Sequence, residues 1–224
     1  MEEFIGIFFL FVASLELLLL VNALIFSQKN KINIIIFIII AIYAANHLFE
    51  FLICQFDFND AIILFLNFSL ISFLPSLSLL LALKFWHHET LLKYIIFLPV
   101  LFLIYYFTNS VYAFSATECS FLFVTYSYPL RSELGIFYFL LNTAALLFLL
   151  VKLKNPKLRY KKHLNWILII SISVSIILPF IIILLIPSIN KYAESILNKF
   201  AFFYVIGLTY FSLKNKTEYL SEKG

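Results

Sequence analysis

Seven runs of mostly apolar residues follow one another through this chain, each long enough to cross a bilayer. A helix spanning the hydrocarbon needs about 20 such residues at about 1.5 Å each. The runs stand at residues 4–26, 34–54, 61–83, 94–114, 134–151, 165–186 and 193–213. In the fourth, continuous apolar character stops at Phe107, and full length is reached only through Thr108, Asn109 and Ser110. With 63% hydrophobic and 12% charged residues among 224, and a mean hydropathy of +1.02, a soluble core has no way to hide this much apolar surface. Barrel strands would be shorter and alternate in polarity. The pattern predicts an all-α, polytopic seven-helix bundle forming a single domain over residues 1–224, with a short tail at 214–224.

Charge distribution predicts the orientation. Cut at these spans, Lys29 and Lys31 fall in the first loop and Lys84 and Lys93 in the third. The fifth loop holds Lys152, Lys154, Lys157, Arg159, Lys161 and Lys162, and the tail holds Lys214, Lys216 and Lys223. Thirteen of the sixteen basic residues thus share one side, leaving Arg131, Lys191 and Lys199 elsewhere. By the positive-inside rule the N-terminus is expected outside and the C-terminus in the cytoplasm. The acidic start "MEEF", with no small-residue cleavage pattern, predicts that the first span is retained rather than removed as a signal peptide. The net charge of +4 follows from this topology and is no sign of nucleic-acid binding. A lipid bilayer is the expected surrounding, and a bacterial cytoplasmic membrane the expected location.

Under this orientation both cysteines lie outside, Cys54 at the end of the second span and Cys119 in the long loop 115–133. An oxidising compartment permits a disulfide tying that loop over the bundle mouth; two free thiols are the other reading.

Ionisable groups inside the spans are the remaining chemical signal, since a charge near the bilayer centre costs about 3 kcal/mol on insertion scales unless it faces protein. Glu16 sits in the first span. Tyr43, His47, Glu50 and Cys54 recur at helical spacing on the second and form one stripe. Asn67, Asn142 and Lys199 add polar groups on the third, fifth and seventh. Glu16, Tyr43, His47, Glu50, Asn67, Asn142 and Lys199 are therefore the candidate ligand-binding set, lining a cavity open to the outside, with His47 available as a proton sensor. The competing reading is helix-to-helix hydrogen bonding, ion pairing and snorkelling.

Other chemistries find less support. His87, His88, Glu89 and His163 gather at the inner helix ends, but adjacent histidines point about 100° apart and no HExxH spacing occurs, so no metal is expected. Lys199 as a retinal Schiff base would need a carboxylate counter-ion that the third span lacks. No Ser/His/Asp or Cys/His arrangement shares a face, and no phosphate-binding glycine loop is present. Neither an enzyme nor a cofactor is expected.

Pro75, Pro99 and Pro179 fall inside spans three, four and six, where each is expected to kink its helix. Together with "LNFSLISFLPSLSLLLALKF", "LPVLFLIYYFTNSVYAF", "ISVSIILPFIIILL" and "FAFFYVIGLTYFSLKN", they make the chain resemble the seven-helix N-terminal sensor region of bacterial histidine kinases and related signalling proteins. In many members a histidine follows the Thr108–Asn109 pair, where this chain has Tyr112. Members continue into an output domain, whereas this sequence ends at Gly224. The resemblance implies a receptor-like sensory module that binds a small or lipid-borne ligand, or senses pH, and signals to a separate cytoplasmic protein contacting loop 152–162 or the tail. A small transporter or channel subunit is the alternative, and an intramembrane metal-dependent hydrolase a third reading.

Overall fold

Length and capping decide where the apolar runs become helices. In the computed structural model, which describes residues 6–86, 92–120, 122–154 and 159–215, the first two runs form α1 (Ile7–Phe26) and α2 (Lys31–Phe56). Asn30 starts α2 by accepting from the Asn33 amide at 2.8 Å, and Asp57 ends it in the left-handed conformation at φ 52°. Asp60 caps α3 (Ala61–Ser72) in the same way, accepting from the Ile62 amide at 2.7 Å. Then follow α4 (Leu74–Phe85), α5 (Leu92–Ile95), α6 (Leu98–Asn109), a β-hairpin, α7 (Arg131–Lys152), α8 (Arg159–Ile172), a π-helical segment Ser173–Ile177, α9 (Leu178–Leu185) and α10 (Ala193–Lys214).

At each of the three prolines the regular α-helix is interrupted. Pro75, Pro99 and Pro179 occupy the second position of α4, α6 and α9, within the first turn, where proline is best tolerated. Before Pro75 the break is a turn at Phe73, before Pro99 a turn at Ile96–Phe97, and before Pro179 the π segment. Ser171, at the end of α8, and Ser175, inside that segment, turn back onto the carbonyls of Ile167 and Ser171, each at 2.6 Å, which loosens the helical ladder.

The fourth run departs from the expected span. Its helix α6 covers twelve residues, about 18 Å at 1.5 Å each, against about 30 Å of hydrocarbon. The turn before Pro99 separates it from α5, and at its far end Thr108 and Asn109 spend their side chains on the carbonyls of Ile104 and Tyr105. Among the described residues six helical segments are long and apolar enough to cross a membrane: α1, α2, α3–α4, α7, α8–α9 and α10. The fold is all-α and polytopic. Large apolar side chains such as Phe11, Leu18, Ile25, Leu147 and Leu184 stand exposed on its outer faces, as lipid-facing positions do.

Helices α2 and α10 form the middle. α10 packs against α1, α2, α8 and α9, and α2 against α1, α3, α4 and α10. At one end, which we call the basic end, Asn215 donates to Asn33 at 3.2 Å, Asn33 to the Gln28 carbonyl at 2.7 Å, and Phe85 packs edge-on against Phe211. Lys29, Lys31, Lys84, Lys152 and Lys154 stand at or beside the helix termini there. Residues 155–158 of the basic loop and 216–224 of the tail lie outside the described residues.

The opposite end carries the hairpin, an element the apolar pattern does not announce. Strands β1 (Ser115–Cys119) and β2 (Val124–Ser127) pair antiparallel, Ser115 opposite Ser127 and Cys119 opposite Val124, with an irregularity between Ala116 and Glu118. Asn59 clamps Ala116 through both its amide atoms, each at 2.9 Å, and Ser195 Oγ accepts from the Val124 amide at 3.1 Å. Cys54 and Cys119 are joined in a disulfide, Cα to Cα 5.6 Å, which fixes the hairpin to the end of α2.

Candidate ligand-binding site

The seven residues singled out from the sequence separate into distinct groups. Glu16 on α1 and His47 on α2 are both fully buried, His47 Nδ1 standing 2.9 Å from Glu16 Oε2 and 3.2 Å from the Tyr43 carbonyl. That carbonyl can only accept, which assigns the Nδ1 hydrogen to His47. Glu16 Oε1 and His47 Nε2 have no partner. Glu50, three residues and less than one turn further along α2, anchors the next group.

Glu50 is saturated. Lys199 Nζ donates to Oε2 at 2.7 Å, Asn198 Nδ2 to Oε1 at 3.0 Å, and the Tyr126 hydroxyl to Oε1 at 3.4 Å. Lys199 also lies over the Phe9 ring, 4.0 Å from its centroid. Lys199, the basic residue that charge asymmetry left unexplained inside a span, is thus the counter-ion of a buried carboxylate. Tyr43 exchanges a hydrogen bond with Tyr138 at 2.8 Å, and Asn142 donates to the Tyr138 carbonyl of its own helix while its Oδ1 stays unpartnered.

Asn67 stands apart from the other six. It lines a cavity of about 780 Å³ between α2–α3, α7, α9 and α10, within the range of small-molecule pockets. Aromatic walls come from Phe68, Tyr126, Tyr128, Tyr138, Phe139 and Phe180. Asn46 and Asn67 are both 1% exposed, and neither the oxygen nor the nitrogen of either amide has a partner. At the rim Arg131 grips Glu194 with two hydrogen bonds, Nε to Oε1 at 2.5 Å and a terminal nitrogen to Oε2 at 2.7 Å, and the Tyr128 hydroxyl donates to Oε1 at 3.0 Å. Burial, and then the Glu194 carboxylate, push the Tyr128 phenol well above its ordinary value; burial and Glu50 do the same to Tyr126.

Sequence reasoning therefore found one cavity residue and missed Asn46, Asn198, Arg131 and Glu194. Asn46 lies one residue off the His47 stripe, about 100° around the helix, and Asn198 is the neighbour of Lys199. A polar residue beside a flagged one was the available signal. The tyrosines gave none, being thirteen in the chain. Among the described residues no group of three or more His, Cys, Asp or Glu is placed to hold a metal ion; His87, His88 and Glu89 lie outside them.

Compared with known protein families, with curated proteins and with solved structures, the chain matches none.

Proposed function

We propose that the chain is a receptor-like sensory module of a membrane that binds a small or lipid-borne ligand in the cavity at the hairpin end. The observation that carries this reading is the pair Asn46 and Asn67. Two buried amides with every polar atom unpaired are costly in an apolar surrounding, at about 1–3 kcal/mol for each unsatisfied group, and a bound molecule relieves that cost. Beyond the cavity, toward the basic end, a continuous cluster of Ile36, Ile39, Leu81, Leu168, Tyr204 and Leu208 fills the bundle. A dead-ended pocket of this kind favours reception over permeation.

In this reading the chain crosses the membrane seven times, α5 and α6 carrying it from Trp86 at the basic end to Ser115 at the hairpin end. The N-terminus lies outside and the basic end in the cytoplasm, as in the sensor regions of the bacterial histidine kinases that the sequence resembles. A disulfide at the hairpin end and the lysines at the other support that orientation. The pocket borders α9, whose start Pro179 marks, and ligand binding shifts α9 and α10 against α7 to present loop 152–162 and the tail to a signalling protein.

Cross-linking in native membranes tests the reading. A cytoplasmic signalling protein captured through loop 152–162, in an amount that changes when Asn67 is replaced by leucine, is the expected result. Solute flux through liposomes containing this chain alone would overturn it in favour of a transporter.

A further inference from the structure

The chemistry of the cavity wall narrows what it takes. We propose that it binds an uncharged amphipathic molecule drawn from the bilayer, with an apolar body and a neutral head that both donates and accepts hydrogen bonds, as a carboxamide does. This rests on the receptor reading above and names its ligand class.

Three observations carry it. The first is charge. Arg131 and Glu194, the charged residues of the lining, are committed to each other through two hydrogen bonds. Glu50, behind Asn198 and Tyr126, is held by Lys199. A carboxylate or ammonium ligand would enter a desolvated pocket with no counter-charge left for it.

The second is the demand of the two amides. Asn46 and Asn67 each present a free carbonyl oxygen and a free NH2. A purely apolar guest leaves all of them unpaired, and a pure acceptor or a pure donor satisfies half. A neutral head with both functions satisfies the set.

The third is the direction of access. Ile136 and Leu140 on α7 and Leu184 on α9 line the cavity and are also 59%, 58% and 64% exposed on the outer face of helices apolar enough to span a membrane. Between them the stacked rings of Phe139 and Phe180, 4.0 Å apart, close the seam of α7 and α9. On the membrane-spanning reading that flank faces hydrocarbon, while the Arg131–Glu194 pair and Tyr128 tie the rim at the hairpin end. A guest reaching the amides from the seam passes only apolar and aromatic side chains.

The test uses the full chain in phospholipid nanodiscs, with thermal unfolding as readout. Oleamide, oleate and hexadecane are supplied in the bilayer, and benzamide from the water. Oleamide at about a hundredfold above its Kd is expected to raise the midpoint by about 5 °C or more, and the other three by much less. An equal shift with hexadecane would overturn selection by the head, an equal or larger one with oleate would overturn the requirement for a neutral head, and an equal one with benzamide would overturn the bilayer as source. The Asn46→Leu/Asn67→Leu variant separates a ligand role from a structural one. It should unfold at the same or a higher temperature without ligand, because two unsatisfied amides are gone, and lose the oleamide shift. A lowered midpoint with the shift retained would show the amides to be packing groups and sink the proposal. No shift with any probe would likewise remove this ligand class while leaving the receptor reading to the cross-linking experiment; an oleamide shift without any captured partner would do the reverse.

Discussion

Seven asparagines are buried among the described residues; Asn142 and Asn198 each donate to one acceptor, and the other five make a sharper contrast between the two ends. At the basic end Asn33, Asn165 and Asn215 bridge helices: Asn215 donates to Asn33, Asn165 donates to the Leu149 carbonyl at 2.8 Å, and Trp86 donates to Asn165 at 3.0 Å. Toward the hairpin end Asn46 and Asn67 touch no polar partner at all. The same side chain is mortar in one half and an open demand in the other. Packing follows the division: the basic half holds the larger apolar cluster, built on Ile36, Leu81, Leu164 and Leu208, whereas the hairpin half is a smaller, aromatic-rich one around Phe68, Phe107, Phe114 and Tyr126. A disulfide and the buried Lys199–Glu50 ion pair hold that half together. Covalent and ionic links allow a fold to keep a hole.

The largest effect should come from breaking the ion pair. Lys199→Met leaves Glu50 buried without its counter-charge, and about 3–5 kcal/mol of stability should be lost in equilibrium unfolding from mixed micelles. The double variant Glu50→Gln/Lys199→Met should recover most of that. A single variant as stable as the parent would break the idea that this end depends on ionic links.

Removing the disulfide ranks next. Cys54→Ser/Cys119→Ser opens a loop closed over 65 residues of sequence separation, and about 2–4 kcal/mol should be lost. Hydrogen exchange sharpens the comparison: protection should fall in β1 and β2 and persist in α8 and α10. Uniform loss along the chain would mean that the two halves are one cooperative unit.

At the seam of α8 and α10, close packing itself can be tested. A Cβ built on Gly207 would stand 1.8 Å from Ser171 Oγ and 2.8 Å from its Cβ, so Gly207→Ala should cost about 1–3 kcal/mol by overpacking. Pairing it with Ser171→Gly should restore stability. If Gly207→Ala alone is neutral, this crossing is looser than the cavity half and the contrast between the halves weakens.

The fold was more legible than the site, for a physical reason. Apolar length is a property of the chain by itself, so α1, α2, α7 and α10 can be read within a few residues. The fourth run defeats the length rule because Pro99 breaks it from within. The hairpin escapes because its strands are short and without regular alternation, β1 half-exposed and β2 mostly buried. Pairings such as Lys199 with Glu50, or Arg131 with Glu194, depend on which helices become neighbours, and residues 149 and 63 positions apart carry no mark of each other. Asn46 and Asn67 were readable as polar residues in apolar helices, but whether such a residue is paired, like Asn33, or left open is decided only by the facing helix.

The smallest effect is expected in alkali and asks how dry the hairpin end is. Tyr128 ionises near pH 10 in an unfolded chain. In the fold burial, and then Glu194, hold its proton to higher pH. Above pH 10 the folded state therefore keeps a proton that the unfolded state has released, and stability must fall as pH rises, with no contribution from this group below that range. Phenolate absorbance should show Tyr128 titrating later than a free tyrosine. Tyr128→Phe should remove that part of the alkaline slope and cost about 1 kcal/mol at neutral pH for the lost hydrogen bond, since Arg131 still holds Glu194. If the phenol instead titrates at its ordinary value, water reaches Glu194 freely. The Arg131–Glu194 pair would then no longer shield the cavity rim, and the contrast between a satisfied basic end and a sealed, unsatisfied hairpin end would rest on Asn46 and Asn67 alone.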